Sequence, residues 1–136
     1  MHKKKIVKLI ETLQTQDNAQ QKIAMVYRLL ETANRYVAAV TEHTWKLQMQ
    51  IWDNSVEHSQ EVAEIDKKRT QVHNSLISLI NSVNRLCENN SLPRLYDGED
   101  ERRQMGDFAL ELVETYFRDR IWLDYIYRKM AMRRHI

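Results

Sequence analysis

The fold of this chain is decided by residues 23–51, which read IAMVYRLLETANRYVAAVTEHTWKLQMQI. Apolar or small residues recur there at steps of three and four, at Ile23, Val26, Leu30, Ala33, Val37, Val40, Thr44, Leu47 and Ile51. This spacing lays a narrow seam along one side of a single long helix. Because the stretch contains neither Gly nor Pro, it predicts one or two partner helices with matching seams.

The composition of the whole chain favours an all-α fold. Two glycines and one proline in 136 residues are too few for the many turns of a β-rich protein. A chain of this length is expected to form one domain, residues 1–136, around one hydrophobic core.

Apolar spacing elsewhere predicts an up-down bundle of three long helices plus a short N-terminal helix. The predicted helices span residues 3–13, 19–52, 56–88 and 99–132. The cluster Asp53-Asn54-Ser55 favours a tight hairpin between the second and third helices. The alternative is a kinked helix that runs straight through, since three residues without Gly are a weak stop signal.

Polar residues predict how these helices begin and end. Asp17 is expected to cap the second helix with Gln20 reaching back to it, and either Asp53 or Ser55 could cap the third. Pro93 cannot continue a helix, and Asn89 tolerates the left-handed conformation of a C-cap.

Cysteine content and hydropathy indicate a cytoplasmic protein. Cys87 is the single cysteine, so no internal disulfide can form and a reducing compartment is expected. The longest apolar run, residues 36–40, is far shorter than the roughly 20 residues of a membrane span. No membrane association is therefore predicted.

The histidines and the cysteine do not match the residue patterns of common catalytic or metal sites. A di-iron bundle uses Glu three residues before His, yet the residues three before His43, His58 and His73 are Val40, Ser55 and Thr70. Cys87 falls in line with apolar residues of the third helix, which favours a core position over a nucleophile. The sequence predicts a non-enzymatic protein with no catalytic residue, cofactor or metal.

A polar stripe beside the apolar face of the third helix has two interpretations. In the first, Asn74, Ser78, Asn81 and Arg85 form a polar flank that faces water. In the second, Asn84 and Arg85 are partly buried and form a structural polar cluster with Asp100 and Asp107, bonding to the loop 92–98. The second interpretation predicts that Arg85→Ala costs a few kcal/mol by stranding buried acceptors.

The same region carries a resemblance to a protein family. It is formed by the segments HNSLI at 73–77, NRL at 84–86, LPRLYDG at 92–98, RR at 102–103 and DF at 107–108. These segments resemble a family of small uncharacterised bacterial all-helical proteins over about residues 73–108, a domain of unknown function. The resemblance implies a helical fold and no assigned activity, and it marks the loop 92–98 as a plausible site.

Aromatic residues near the C-terminus predict an interaction surface. Successive residues advance about 100° around a helix, so the apolar residues of 117–127 cover nearly its whole circumference. Leu123 and Ile126 continue the core seam. The remaining large side chains are Phe117, Ile121, Trp122, Tyr125 and Tyr127. Left in water they would form an unusually large apolar patch, so we predict a homodimer, with another protein as a possible further partner.

Basic residues at both ends raise the alternative of a nucleic-acid-binding accessory protein. Residues 1–8 carry a charge of +4, and residues 118–136 another +4. In the expected bundle the two ends lie roughly 30 Å apart, well beyond the Debye length of about 8 Å. No base-recognition motif is present, so nucleic acid is the less favoured partner.

Overall fold

The computed structural model describes residues 2–50, 52–96, 102–114 and 128 of the chain. These residues contain four helices and no strand: α1 His2–Leu13, α2 Ala19–Met49, α3 Val56–Asn89 and α4 Arg102–Leu112. The all-α prediction is confirmed. The predicted fourth helix, 99–132, extends beyond the described residues at both ends.

The connection between α2 and α3 is a hairpin turn rather than a kinked helix. The Ser55 hydroxyl caps α3 by accepting a hydrogen bond from the His58 backbone N–H at 3.1 Å. Asp53 Oδ1 accepts the backbone N–H of Ser55 at 3.0 Å, which closes the turn. The two helices are antiparallel, because His58 lies beside Lys46 while His73 lies beside Tyr36.

Two predicted caps are wrong. Asn18 rather than Asp17 precedes α2, and it has a φ of 59° with no side-chain cap bond. Asparagine tolerates this left-handed backbone, so the turn can reverse the chain there without glycine. At the end of α3, Asn89 is still helical, and the left-handed residue is Ser91 with a φ of 57°.

The hydrophobic core lies where α1, α2, α3 and α4 meet. Every one of its residues is at most 7 % exposed, and none of the apolar residues described between 37 and 71 belongs to it. The core is made by Ile6, Leu9, Ile10, Leu13, Ile23, Val26, Leu29, Leu30, Ala33, Tyr36, Val72, Leu76, Ile80, Val83, Cys87, Leu95, Met105, Phe108, Ala109 and Leu112. Cys87 is therefore a core residue, and burial raises the pKa of its thiol.

α4 runs antiparallel to α3 and therefore parallel to α2. Met105 shares a cavity wall with Ile80 and Asn84 of α3. Leu110 instead faces Val40 of α2, nearer the hairpin turn. The later residues of α4 thus approach the α2–α3 turn.

The seam of α2 is buried over its first half only. Of the seam residues, four are fully buried, namely Ile23, Val26, Leu30 and Ala33. Val37 and Val40 are half-buried, and Thr44 and Leu47 are exposed. With 12 residues, α1 reaches only about 18 Å along α2. Beyond the core, and among the described residues, α2 and α3 pack only against each other. We refer to this distal hairpin, residues 42–66, as the arm.

Candidate functional site

Asn84 holds the loop that follows α3. Its side chain is 2 % exposed. The amide oxygen accepts the backbone N–H groups of Leu95 at 2.9 Å and Tyr96 at 3.2 Å. The amide nitrogen donates to the Tyr96 carbonyl oxygen at 2.9 Å. One buried side chain therefore replaces the backbone partners that this loop lacks.

The loop in turn joins α1 and α4 to α3. Leu95 belongs to the core, and the Tyr96 ring packs on Phe108 of α4 with the ring centroids 4.5 Å apart. From α1, Lys5 Nζ donates to the Arg94 carbonyl oxygen at 3.2 Å. These contacts give the loop 92–96 a structural role in closing the bundle.

Of the polar cluster expected around Arg85, Asn84 is buried and bonds to the loop, but the described residues do not include Arg85 or Asp107 in it. Arg85 and Asp107 are exposed, and Asp100 lies outside the described residues. The reason is geometric: Arg85 is one residue beyond Asn84, so it points about 100° away from the loop that Asn84 holds. The other polar residues beside this face of α3, Asn74, Ser78 and Asn81, are also exposed. They form the water-facing polar flank of the first interpretation.

A groove opens between α2 and α4 where the core ends. Its volume is about 340 Å³, and it is lined by Tyr36, Val37, Val40, Thr41, Gly106, Asp107 and Leu110. A methyl group added at Gly106 would meet no atom within 4 Å, so the groove has free space at this glycine. Leu110 is 45 % exposed at its edge.

Polar contacts, rather than an apolar core, join the two helices of the arm near its turn. Lys46 Nζ lies 2.6 Å from Glu61 Oε1. The hydrogen bond to Lys46 and the charge of that ammonium group lower the pKa of Glu61, and Glu61 raises the pKa of Lys46 in the same way. His58, which is 8 % exposed, donates from its ring to the Lys46 carbonyl oxygen at 3.1 Å.

At the base of the arm an arginine is buried, while its partner Asp66 stays partly exposed. Arg69 is 3 % exposed, and its Nη2 atom lies 3.0 Å from Asp66 Oδ1. The same carboxylate oxygen lies 3.6 Å from His43 Nε2 of α2. Asp66 therefore links both helices through one carboxylate, which stabilises the arm as a unit.

The outer surface of the arm carries exposed tryptophans. Trp45 is 60 % exposed, Met49 40 % and Trp52 84 %. Trp45 and Met49 are four positions apart on one face of α2 that differs from the core seam, and Trp52 follows in the turn after the helix. We call these three residues the tryptophan stripe.

The sequence contained a signal for this stripe that the prediction missed. The 45–49–52 spacing is the same alternation as the seam, shifted by one to two residues. Two apolar stripes on neighbouring faces of one helix indicate two partners, whereas the prediction considered the seam alone. The predicted interaction residues, Phe117, Ile121, Trp122, Tyr125 and Tyr127, lie outside the described residues.

Across the described residues, no three His, Cys, Asp or Glu side chains are grouped so that they could hold a metal ion. None of the helices in that part of the chain has the length and apolarity needed to cross a membrane. The described residues leave two apolar surfaces open, namely the α2–α4 groove and the tryptophan stripe.

The chain matches the model of one protein family over most of its length. The family described as "Protein of unknown function (DUF3232)" matches residues 2–122. The chain belongs to this family. The resemblance over residues 73–108 is therefore confirmed, and the DUF3232 match extends it through α1, α2 and the arm. No curated protein and no solved structure is significantly similar to the chain.

Proposed function

We propose that this DUF3232 protein is a non-enzymatic helical-bundle interaction protein that associates with a second copy of itself. The observation that carries the proposal is the arm, which projects beyond the core and exposes Trp45 and Trp52 to 60 % and 84 %. Tryptophan is the residue type most enriched among the energetically dominant contacts of protein interfaces.

The size of the exposed surface supports this proposal. With about 150–250 Å² for each aromatic side chain, the tryptophan stripe leaves roughly 400 Å² of apolar surface in water. That is within the range of about 300–600 Å² for the largest apolar patch on a monomer, a patch that is often functional. Val56, 73 % exposed at the start of α3, and Leu47, 43 % exposed, add apolar surface to the same arm.

The C-terminal aromatic residues provide a second part of the proposed interface. In the helix that the sequence predicts, the apolar spacing is too wide for all of these side chains to face the same two neighbours: Phe117, Ile121, Trp122, Tyr125 and Tyr127. We propose a homodimer with two-fold symmetry, because self-complementary surfaces most often close in this way. The single cysteine and the resemblance to bacterial proteins support a bacterial cytoplasm as its compartment.

Light scattering on a sizing column tests the proposal. Wild-type protein at tens of micromolar is expected to show about twice the chain mass of 16.4 kDa. The double variant Trp122→Glu with Tyr125→Glu is expected to show half the wild-type mass, because two buried charges would have no partners. Far-UV circular dichroism of the variant controls for folding. A wild-type protein that runs as a monomer would refute self-association.

A further inference from the structure

We propose that the tryptophan stripe is the docking surface for the basic, aromatic C-terminal segment, residues 115–136, of a second copy of the chain. This inference rests on the proposed self-association and names the surface that receives the partner. It is argued from the charge around the stripe, from the direction of α4 and from the area that the pairing would bury.

One flank of the tryptophan stripe is bordered by acidic residues. Lys46 follows Trp45 directly and contacts Glu61, so the flank of α3 that carries Glu61 lies next to the stripe. Glu57 and Glu64 lie four residues before and three residues after Glu61, and thus share this flank. Both are exposed.

Two further carboxylates of α2 and of the turn complete this border. Glu42 lies four residues before Lys46, which places it on the same side of the stripe in helical register, and Asp53 lies in the turn that joins α2 to α3. Both are exposed. We call Glu42, Asp53, Glu57, Glu61 and Glu64 the acidic border. Between residues 42 and 64, Lys46 is the single Lys or Arg, so the border and Lys46 together carry a charge of −4.

The C-terminal segment has the complementary composition. Residues 115–136 contain six Lys or Arg against Asp119 and Asp124, a charge of +4, together with the aromatic residues of the proposed interface. An apolar stripe with an acidic border matches an apolar, aromatic segment with basic residues. Such complementarity favours this pairing over the contact of two arms, whose borders would both be negative.

The direction of α4 favours a second copy over the same chain. α4 lies on the face of α2 that carries Val37, Val40 and Thr41. Trp45 and Met49 lie about 100° around α2 from the middle of that face. The exposed residues Trp45 and Met49 therefore lie off the line of their own α4, which leaves this surface open to a second copy.

The area that would be buried is sufficient for a stable pair. A two-fold dimer repeats the contact, with each arm receiving the segment of the other copy. Two stripes of roughly 400 Å² and the matching surface of two segments bury on the order of 1,600 Å². This is the size of a standard specific interface.

Removal of the tryptophans tests whether the stripe is the docking surface. Trp45→Ala with Trp52→Ala is expected to raise the dimer dissociation constant about 100-fold or more, measured by sedimentation equilibrium. Arg85→Ala is the control, because Arg85 is an exposed, long side chain of α3 outside both the arm and the α2–α4 groove. It is expected to leave the dissociation constant unchanged. A tryptophan double variant that dimerises like wild type would refute this inference while leaving self-association intact.

Exchange of charges tests the identity of the partner segment. In the arm variant, Glu42, Glu57 and Glu64 are replaced by Lys, which changes the charge of −4 to +2. In the segment variant, Arg128, Lys129 and Arg133 are replaced by Glu, which changes the charge of +4 to −2. Each variant alone then opposes like charges and is expected to be a monomer. An equimolar mixture opposes unlike charges at both contacts and is expected to dimerise.

Three results would overturn the inference. The first is that either charge variant, measured without the other, remains a dimer. The mixture could remain monomeric although circular dichroism shows both variants folded, which is the outcome if the segment binds the arm of its own chain. A monomeric wild type would overturn the proposed self-association as well, so the two failures are distinguishable.

Discussion

Replacing Asn84 by alanine removes the three hydrogen bonds that hold the loop 92–96 on α3. The Leu95 N–H loses its partner in a fully buried position. The N–H and the carbonyl group of Tyr96 lose theirs in part-buried positions, where water can replace them in part. The change leaves backbone groups without hydrogen-bond partners and removes no apolar surface. It therefore isolates the contribution of the Asn84 side-chain amide.

The expected cost is about 3 kcal/mol. A stranded buried donor costs about 1–3 kcal/mol, and each part-buried group adds a fraction of that. Alanine is the better helix former by roughly 0.5 kcal/mol, which offsets a little of the loss. For a domain of this size, a loss of about 3 kcal/mol lowers the melting temperature by about 10 °C.

Thermal unfolding followed by far-UV circular dichroism measures this effect. Asn81→Ala is the matched control, since Asn81 is exposed almost one turn earlier on the same helix and gains the same helix propensity. Its melting temperature is expected to equal or slightly exceed that of wild type. If Asn84→Ala melted within about 2 °C of Asn81→Ala, the hydrogen bonds of Asn84 would not be what holds the loop.

Three further predictions concern Arg85, the Lys46–Glu61 pair and the binding of nucleic acid. Arg85→Ala is expected to change the free energy of unfolding by less than about 0.5 kcal/mol in urea titrations, because Arg85 is exposed. Glu61 has a lowered pKa in the folded state, so its pairing with Lys46 stabilises the fold above the usual Glu pKa and is lost as the pH falls through the lowered value. The melting temperatures of wild type and Glu61→Gln should therefore differ at neutral pH and converge in acid. In mobility-shift assays at about 50 mM salt, micromolar protein is expected to shift neither DNA nor RNA, and a shift that disappears by about 200 mM salt would favour the nucleic-acid alternative.

The sequence predicted the parts of the fold that depend on local pattern. The 3-4 spacing from Ile23 to Ala33 identified a buried helix face, and Asp53 with Ser55 identified the hairpin turn. Both signals act within a few residues, so they can be read without knowing what packs nearby.

The parts that were missed depend on distant contacts. Thr44 and Leu47 continue the seam in sequence, yet they are exposed because α1 is too short to reach them. Asn84 and Arg85 are neighbours of similar polarity, and only the position of the loop after α3 decides which one is buried. The exposure of Trp45 and Trp52 likewise follows from where the core ends, which no local pattern reports.

Sedimentation equilibrium of wild-type protein from about one to tens of micromolar tests the central claim of self-association most directly. The proposed dimer predicts a mass that rises with concentration toward twice the chain mass of 16.4 kDa. A mass that stays at 16.4 kDa throughout this range would contradict it.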